Sequence, residues 1–206
     1  IQDNISIVSN GFLAGNNLQE LIEIYMDDLV GGKVYNKYGD EFPILIKLID
    51  ATDTLSIQVH PNNEIAKKRH HAFGKTEMWY IIDSEPNSQI ITGFNQKITK
   101  EEYQEYLNQN TLKEILNVEQ ALKNDIFFLP PGRVHAIGKG ILLAEIQQAS
   151  DITYRIYDWN RVDKNGKPRE LHNDLALDVI DFEKYDSYKF TKPIINNNPS
   201  ELVTCD

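Results

Sequence analysis

The sequence contains a single cysteine, Cys205, and no apolar run long enough to cross a bilayer. One cysteine excludes an internal disulfide, so no covalent crosslink can stabilise the fold. Residues 1–10 also lack the basic head that begins a signal peptide. We therefore expect a cytoplasmic protein with no membrane partner.

Basic residues are scarce. The chain has 21 Lys and Arg against 31 Asp and Glu, which gives a formal net charge of −10. A field of this sign repels nucleic acid, so we expect no nucleic-acid partner. It also repels phosphorylated small molecules at long range. A phosphate site would therefore require a local cluster of Lys and Arg.

The chain shows no repeat, low-complexity tract or flexible linker, and we interpret residues 1–206 as one domain. The pattern is unfinished at both ends, which predicts that the chain is part of a longer protein. Thr99 and Thr111 are typical helix N-caps and predict a helical insertion at about residues 97–122. Alternating or apolar segments predict strands at residues 42–49 (buried), 54–60, 76–83, 89–93, 125–129, 134–137, 141–147 and 152–159. This order indicates a mainly β fold, an antiparallel β-barrel or jelly roll with a small helical insertion and flanking helices.

Two histidines and a glutamate occupy strand positions that could face one cavity. Gln58 and His60 are two residues apart, so both side chains leave the same face of their strand. Glu77 alternates with Trp79, and His135 follows a Pro-Pro-Gly turn. Two imidazoles, a carboxylate and an amide oxygen suit zinc. Two alternatives remain: a strand histidine is more often a hydrogen-bonded core or surface residue, and two His with one carboxylate also describe a non-haem iron site.

Four motifs occur in a fixed order along the chain: LSIQVHP at 55–61, GKTEMWY at 74–80, PPGRVHAIG at 130–138 and TYRIYD at 153–158. Together they closely resemble the type I mannose-6-phosphate isomerases in their shorter bacterial form, over about residues 4–181. The resemblance implies a cupin fold and an enzyme that interconverts mannose 6-phosphate and fructose 6-phosphate through an enediolate. It also implies one zinc ion per chain and a catalytic role for Arg155. The implied zinc ligands are Gln58, His60, Glu77 and His135.

Other polar residues could contact a sugar phosphate. Lys75 lies two residues before Glu77, so it could hold a substrate oxygen or transfer a proton, although a solvated turn residue is an equal alternative. Glu145 shares a strand face with Gln147 and could reach the sugar. Arg155 could bind developing charge or the phosphate. Without the resemblance, its position favours an exposed strand arginine.

The remaining cations and histidines are interpreted as solvated. His70 and His71 lie on a polar helix, and His172 has no evident partner. The loop from Arg161 to Arg169 is expected to be a charged hairpin, with a phosphate rim as the alternative. Two other functions stay open: a non-haem iron cupin oxygenase, and a non-catalytic sugar-phosphate-binding cupin or inactive fragment. No feature of the sequence indicates an oligomeric state.

Overall fold

The computed structural model describes residues 5–191 and 201–203, so Cys205 lies outside the described residues. The chain divides into two compact units, Ile1–Ile44 and Leu45–Asp206. Among the described residues, no helix has both the length and the apolar character needed to span a membrane.

The first unit contains two helices, α1 (Leu18–Val30) and α2 (Gly32–Tyr38). Asn17 begins α1 through a capping box, in which its side chain accepts from the backbone N–H of Glu20 and the Glu20 carboxylate accepts from the backbone N–H of Asn17. Gly31 separates the helices at a φ of 85°, a conformation that glycine adopts without strain.

The second unit is built on two five-stranded antiparallel sheets. This arrangement confirms the expected mainly β, cupin-type architecture. In spatial order, the first sheet contains β1 (Ile44–Ala51), β8 (Ile141–Gln148), β3 (Glu77–Ser84), β6 (Asp125–Leu129) and β10 (Lys189–Thr191). The second contains β5 (Leu116–Gln120), β4 (Gln89–Phe94), β7 (His135–Ile137), β2 (Ile57–Val59) and β9 (Tyr154–Tyr157).

Two apolar clusters hold these sheets in place. One lies between the sheets, because it combines Trp79 and Phe127 of the first sheet with Ile90 and Ile137 of the second. The other covers the opposite face of the second sheet, where Val59 packs with residues of α4 (Lys100–Asn108) and α5 (Asn173–Leu177). A short helix, α3 (Asn63–His70), follows β2. Because apolar side chains lie between the sheets, polar side chains buried there need a hydrogen bond, an ion pair or a metal to offset the cost of burial.

Two local predictions were wrong. The strand expected at residues 42–49 is β1, but Ile46 and Leu48 are 67% and 74% exposed, so the strand is not buried. Within the insertion at about residues 97–122, Thr99 caps α4 as expected. Thr111 makes no side-chain cap, and Leu112–Ile115 is a single 3-10 turn. Strand β5 follows it, because pairing with β4 outweighs local helix signals.

Candidate metal centre

Three side chains from separate strands meet between the sheets: His60, Glu77 and His135. His60 Nε2 lies 3.4 Å from Oε1 of Glu77, and His135 Nε2 lies 3.6 Å from Oε2 of the same carboxylate. The two imidazole ring centres are 4.8 Å apart. One possible ligand atom from each residue lies within 4.8 Å of the others. The convergence predicted from the spacing of these residues is therefore present.

Backbone carbonyls fix the orientation of both histidines. His60 Nδ1 donates to the carbonyl of Ile152 at 2.8 Å, and His135 Nδ1 donates to the carbonyl of Arg133 at 2.8 Å. Each Nδ1 therefore carries a proton, so Nε2 is the ring nitrogen that could bind a metal. Burial and the nearby His60 lower the pKa of His135 to about 3, so its imidazole is neutral near pH 7.

Glu77 is buried, yet neither of its carboxylate oxygens accepts a hydrogen bond. Burial alone would raise its pKa. The neighbouring His60 and Lys75 outweigh that effect and hold the pKa of Glu77 well below its usual range. The carboxylate is therefore ionised at the centre of the fold.

A divalent cation fits the chemistry and spacing of this cluster. His60 Nε2 and both oxygens of Glu77 are buried without hydrogen-bond partners, and such atoms are costly unless something satisfies them. Zinc ligands about 2.0 to 2.2 Å from the ion lie roughly 3.3 to 3.6 Å from each other in a tetrahedral site. The two His–Glu distances match that spacing. His60, Glu77 and His135 can therefore hold a metal ion.

Gln58, the fourth predicted ligand, lies directly opposite His135 on the neighbouring strand. Its amide nitrogen is 3.3 Å from His135 Nε2, an arrangement in which the amide donates to the imidazole. Ligation by Gln58 would require the amide to turn so that its oxygen faces the ion. Its role as a ligand stays a prediction.

Lys75 is buried beside the carboxylate rather than solvated in a turn. Its Nζ lies 3.1 Å from Oε1 of Glu77, and its side chain is 7% exposed. Glu145 lies nearby on β8, where its carboxylate accepts from Trp79 Nε1 at 3.0 Å and from Lys47 Nζ at 2.8 Å. Gln147 also accepts from Lys47. Two of the predicted substrate contacts, Lys75 and Glu145, therefore lie in one region of the first sheet, where Glu77 pairs with Gln147 and Trp79 with Glu145.

Lys47 is the site residue that sequence reasoning missed. It alternates with exposed Ile46 and Leu48 on β1, so its side chain leaves the strand on the other face, toward Glu145. Its signal in the sequence was one charged residue within an otherwise apolar segment. Interpreting that segment as a strand buried on both sides obscured the signal.

Arg155 lies directly opposite Gln58, on the same face of the second sheet as His135. Adjacent strands are about 4.8 Å apart, so the backbones of Arg155 and His135 are separated by roughly 10 Å. The Arg155 side chain is half-buried, and its Nε–H is buried without a hydrogen-bond partner. Burial, together with the neighbouring Arg169 cation, lowers the pKa of Arg155. These conditions favour a bound anion.

The loop from Arg161 to Arg169 is a hairpin closed by a bridge between Val162 and Pro168. Its two terminal arginines both donate to the buried carboxylate of Asp158. The expectation of a charged hairpin is confirmed, although Arg161 and Arg169 are anchored rather than fully solvated.

A cavity of about 370 Å³ lies elsewhere in the second unit and contains none of the metal-site residues. Ile91, Ala136 and Trp159 are among its lining residues. Ile91 and Ala136 face away from His135, because neighbouring residues of a strand point to opposite faces. The burial of ionisable groups, rather than cavity size, identifies the chemically active region.

Comparison with known proteins gives consistent results. Residues 4–95 match the family described as phosphomannose isomerase type I, catalytic domain. The mannose-6-phosphate isomerase ManA of Bacillus subtilis is 45% identical over 181 residues, which cover 87% of this chain and 56% of that protein. The mannose-6-phosphate isomerase of Streptococcus mutans is 39% identical over 88% of this chain and 56% of its own length.

The fold agrees with these sequence matches. The crystal structure of the mannose 6-phosphate isomerase from Bacillus subtilis superposes with a TM-score of 0.80 at 38% identity, over 89% of this chain and 57% of that one. The chain thus spans a little over half of the length of the relatives it matches. By motif order, family match and fold, this chain is similar to the type I phosphomannose isomerases.

Proposed function

We propose that this chain carries the zinc centre of an aldose–ketose isomerase that interconverts mannose 6-phosphate and fructose 6-phosphate. The observation that carries the proposal is the buried cluster of His60, Glu77 and His135, in which Lys75 Nζ lies 3.1 Å from Oε1 of Glu77. The names of the relatives from Bacillus subtilis and Streptococcus mutans support the substrate. Zinc is proposed because two imidazoles and a carboxylate suit it.

Isomerisation moves a proton between C2 and C1 of the sugar through an enediolate, so the site must supply a proton-transfer group and positive charge. A bound zinc ion would supply Lewis acidity and a fixed position for the sugar oxygens. His60, Glu77, His135 and, through its amide oxygen, Gln58 would hold it.

Lys75 and Arg155 would serve the charge and proton requirements of the reaction. Lys75 is held in the interior by Glu77, where an ammonium group can donate to a sugar oxygen or transfer a proton. The unpaired Nε–H of Arg155 offers a donor to the phosphate or to the developing oxyanion. Glu145, oriented by Trp79 and Lys47, can accept from a sugar hydroxyl.

The charge balance of the cluster also suits an anionic substrate. Lys47, Lys75 and Arg155 provide three cations against the two carboxylates of Glu77 and Glu145. The rest of the chain is strongly acidic, at a net charge of −10. Such a local excess of positive charge is what a phosphate site in an acidic protein requires.

The test is an isomerase assay on the purified chain, in which fructose 6-phosphate formation is measured after chelation and after zinc is restored. We expect activity to be lost and then regained. Arg155→Ala should lower kcat by about 100-fold without loss of zinc. Lys97→Ala, at an exposed cation paired with Glu183, is the control and should leave kcat unchanged.

Each other outcome identifies a different function. Full activity in a zinc-free chain would disprove the zinc proposal. A zinc-loaded chain that binds mannose 6-phosphate without converting it would indicate a non-catalytic sugar-phosphate-binding protein. Iron content with oxygen consumption would indicate an oxygenase.

A further inference from the structure

The backbone of Arg155 is bound on its outer side by His172, a residue for which the sequence suggested no partner. β9 is the last strand of the second sheet in the part of the chain that the structure describes. The outward N–H and C=O groups of such a strand have no neighbouring strand to bind. At Arg155 both groups are satisfied by one residue: its N–H donates to His172 Nδ1 at 3.2 Å, and its C=O accepts from the His172 N–H at 2.7 Å.

The side chain of Arg155 is held by the same short segment. Its Nη1 donates to the carbonyl of Glu170 at 2.9 Å. Residues 170–172, which we call the arginine clip, therefore bind Arg155 at three points, two on the backbone and one on the guanidinium. The buried Nε–H takes no part in the clip.

The hydrogen bond from the Arg155 N–H determines which nitrogen of the His172 ring carries the proton. A backbone N–H can only donate, so Nδ1 must be unprotonated and the ring proton must lie on Nε2. Nε2 is 4.0 Å from the Glu170 carboxylate. The His172 backbone is fixed as well, because its carbonyl accepts from the N–H of Ala176 in the first turn of α5.

We infer that His172 is a positioning residue for Arg155. It lies at the start of α5 and holds Arg155 by binding its backbone in β9. The inference rests on the proposed catalytic role of Arg155. A group that binds developing charge loses effectiveness when it moves by about 1 Å. Loss of the His172 ring frees the Arg155 N–H on an edge strand, and the guanidinium then loses its fixed position.

Three substitutions separate positioning from a purely structural role, since all keep the backbone N–H of residue 172. His172→Ala removes the acceptor. His172→Asn places an amide oxygen close to the position of Nδ1 and should restore the acceptor for the Arg155 N–H. His172→Ser can cap α5 as Asn can, but its hydroxyl is too short to reach the Arg155 N–H. The control is His71→Asn, at an exposed histidine whose φ of 53° Asn tolerates.

We expect kcat to fall roughly fivefold to tenfold in His172→Ala and His172→Ser, with KM and zinc content within about twofold of the wild type. His172→Asn and His71→Asn should keep wild-type kcat within about twofold. Any of three results would overturn the inference. These are equal kcat in all four variants, equal kcat in His172→Ser and His172→Asn, and a loss of kcat that is explained by loss of zinc.

A second measurement distinguishes failure of the inference from failure of the proposed function. If the wild-type chain has no isomerase activity, the proposed function fails. Hydrogen exchange at the Arg155 amide then decides the inference. Exchange should be at least about fivefold faster in His172→Ala and His172→Ser than in the wild type, and unchanged in His172→Asn. Equal exchange in all variants would show that the imidazole does not hold Arg155.

Discussion

His60 Nε2 lies 3.4 Å from Oε1 of Glu77, and neither atom takes part in a hydrogen bond. Both residues are buried. A buried acceptor left unpaired costs about 1 to 3 kcal/mol, more when it is charged. The fold sustains this cost through the carbonyls that orient His60 and His135 and through Lys75 beside the carboxylate. Such a site is stabilised by a cation.

Lys75 is expected to matter most for stability when no metal is bound. Lys75→Met leaves the Glu77 carboxylate without its neighbouring ammonium, so the free energy of unfolding of the metal-free chain should fall by about 3 kcal/mol. Zinc supplies positive charge and should reduce that loss. Urea unfolding with and without zinc measures both effects. In the background of Glu77→Leu, Lys75→Met should lower the free energy of unfolding by less. An equal loss in both backgrounds would contradict the pairing of Lys75 with Glu77.

Trp79 should report metal binding by fluorescence. Its ring contacts His135 edge-on at 5.3 Å, and its Nε1 donates to Glu145. In Trp159→Phe, Trp79 is the only tryptophan, and zinc should change its emission with saturation at one ion per chain. In the control Trp79→Phe, only Trp159 emits and zinc should have no effect. A change of emission in Trp79→Phe but not in Trp159→Phe would place the ion away from His135.

Gly74→Ala should destabilise the loop that precedes Glu77. A Cβ at Gly74 would lie 2.5 Å from the backbone of Asn62 and Asn63, which no side-chain movement can relieve. We expect the free energy of unfolding to fall by about 2 to 3 kcal/mol, measured by urea denaturation. Gly32→Ala is the control, because a Cβ there meets nothing within 4 Å. An equal effect of the two substitutions would argue against the close packing at Gly74.

Asp158 should contribute pH-dependent stability. The hydrogen bond from Arg169, with that from Arg161, holds the pKa of Asp158 below its usual range, against the opposing effect of burial. A carboxyl with a lowered folded-state pKa stabilises the fold above its unfolded pKa of about 3.9, and this contribution is lost as pH falls through the folded value. At pH 7, Asp158→Asn should therefore lower the free energy of unfolding by about 2 kcal/mol.

The wild type and Asp158→Asn should differ less in free energy of unfolding below about pH 4, as measured by denaturant titrations across pH. Asp151→Asn, at an exposed carboxylate, is the control and should stay within about 0.5 kcal/mol of the wild type at every pH. A difference between the wild type and Asp158→Asn that is constant from pH 7 to pH 3 would refute the titration of Asp158.

The sequence predicted that His60, Glu77 and His135 converge, because strand alternation fixes which side chains share a face. Gln58 and His60 alternate with apolar residues that pack on the opposite side of β2. The motif order supplied the partners from distant strands, which periodicity alone could not provide. The interpretation of residues 1–206 as one domain stays a prediction, as does each catalytic role.

The parts that sequence could not provide depend on long-range pairing. Lys47 reaches Glu145 across nearly 100 residues, and only the order of strands in the first sheet shows that they are neighbours. His172 binds Arg155 because α5 begins beside an edge strand. Neither local propensity nor residue spacing contains that information. Strand β5 was missed for the same reason.

The most direct test of the central claim is calorimetric zinc titration of the metal-free chain, with Glu77→Gln and His135→Ala compared in parallel. The account predicts one ion per wild-type chain and at least about a hundredfold weaker binding in each variant, because each substitution removes a ligand. His71→Asn should bind as the wild type does. Undiminished zinc affinity in Glu77→Gln and His135→Ala would contradict the claim that these strands hold a metal together.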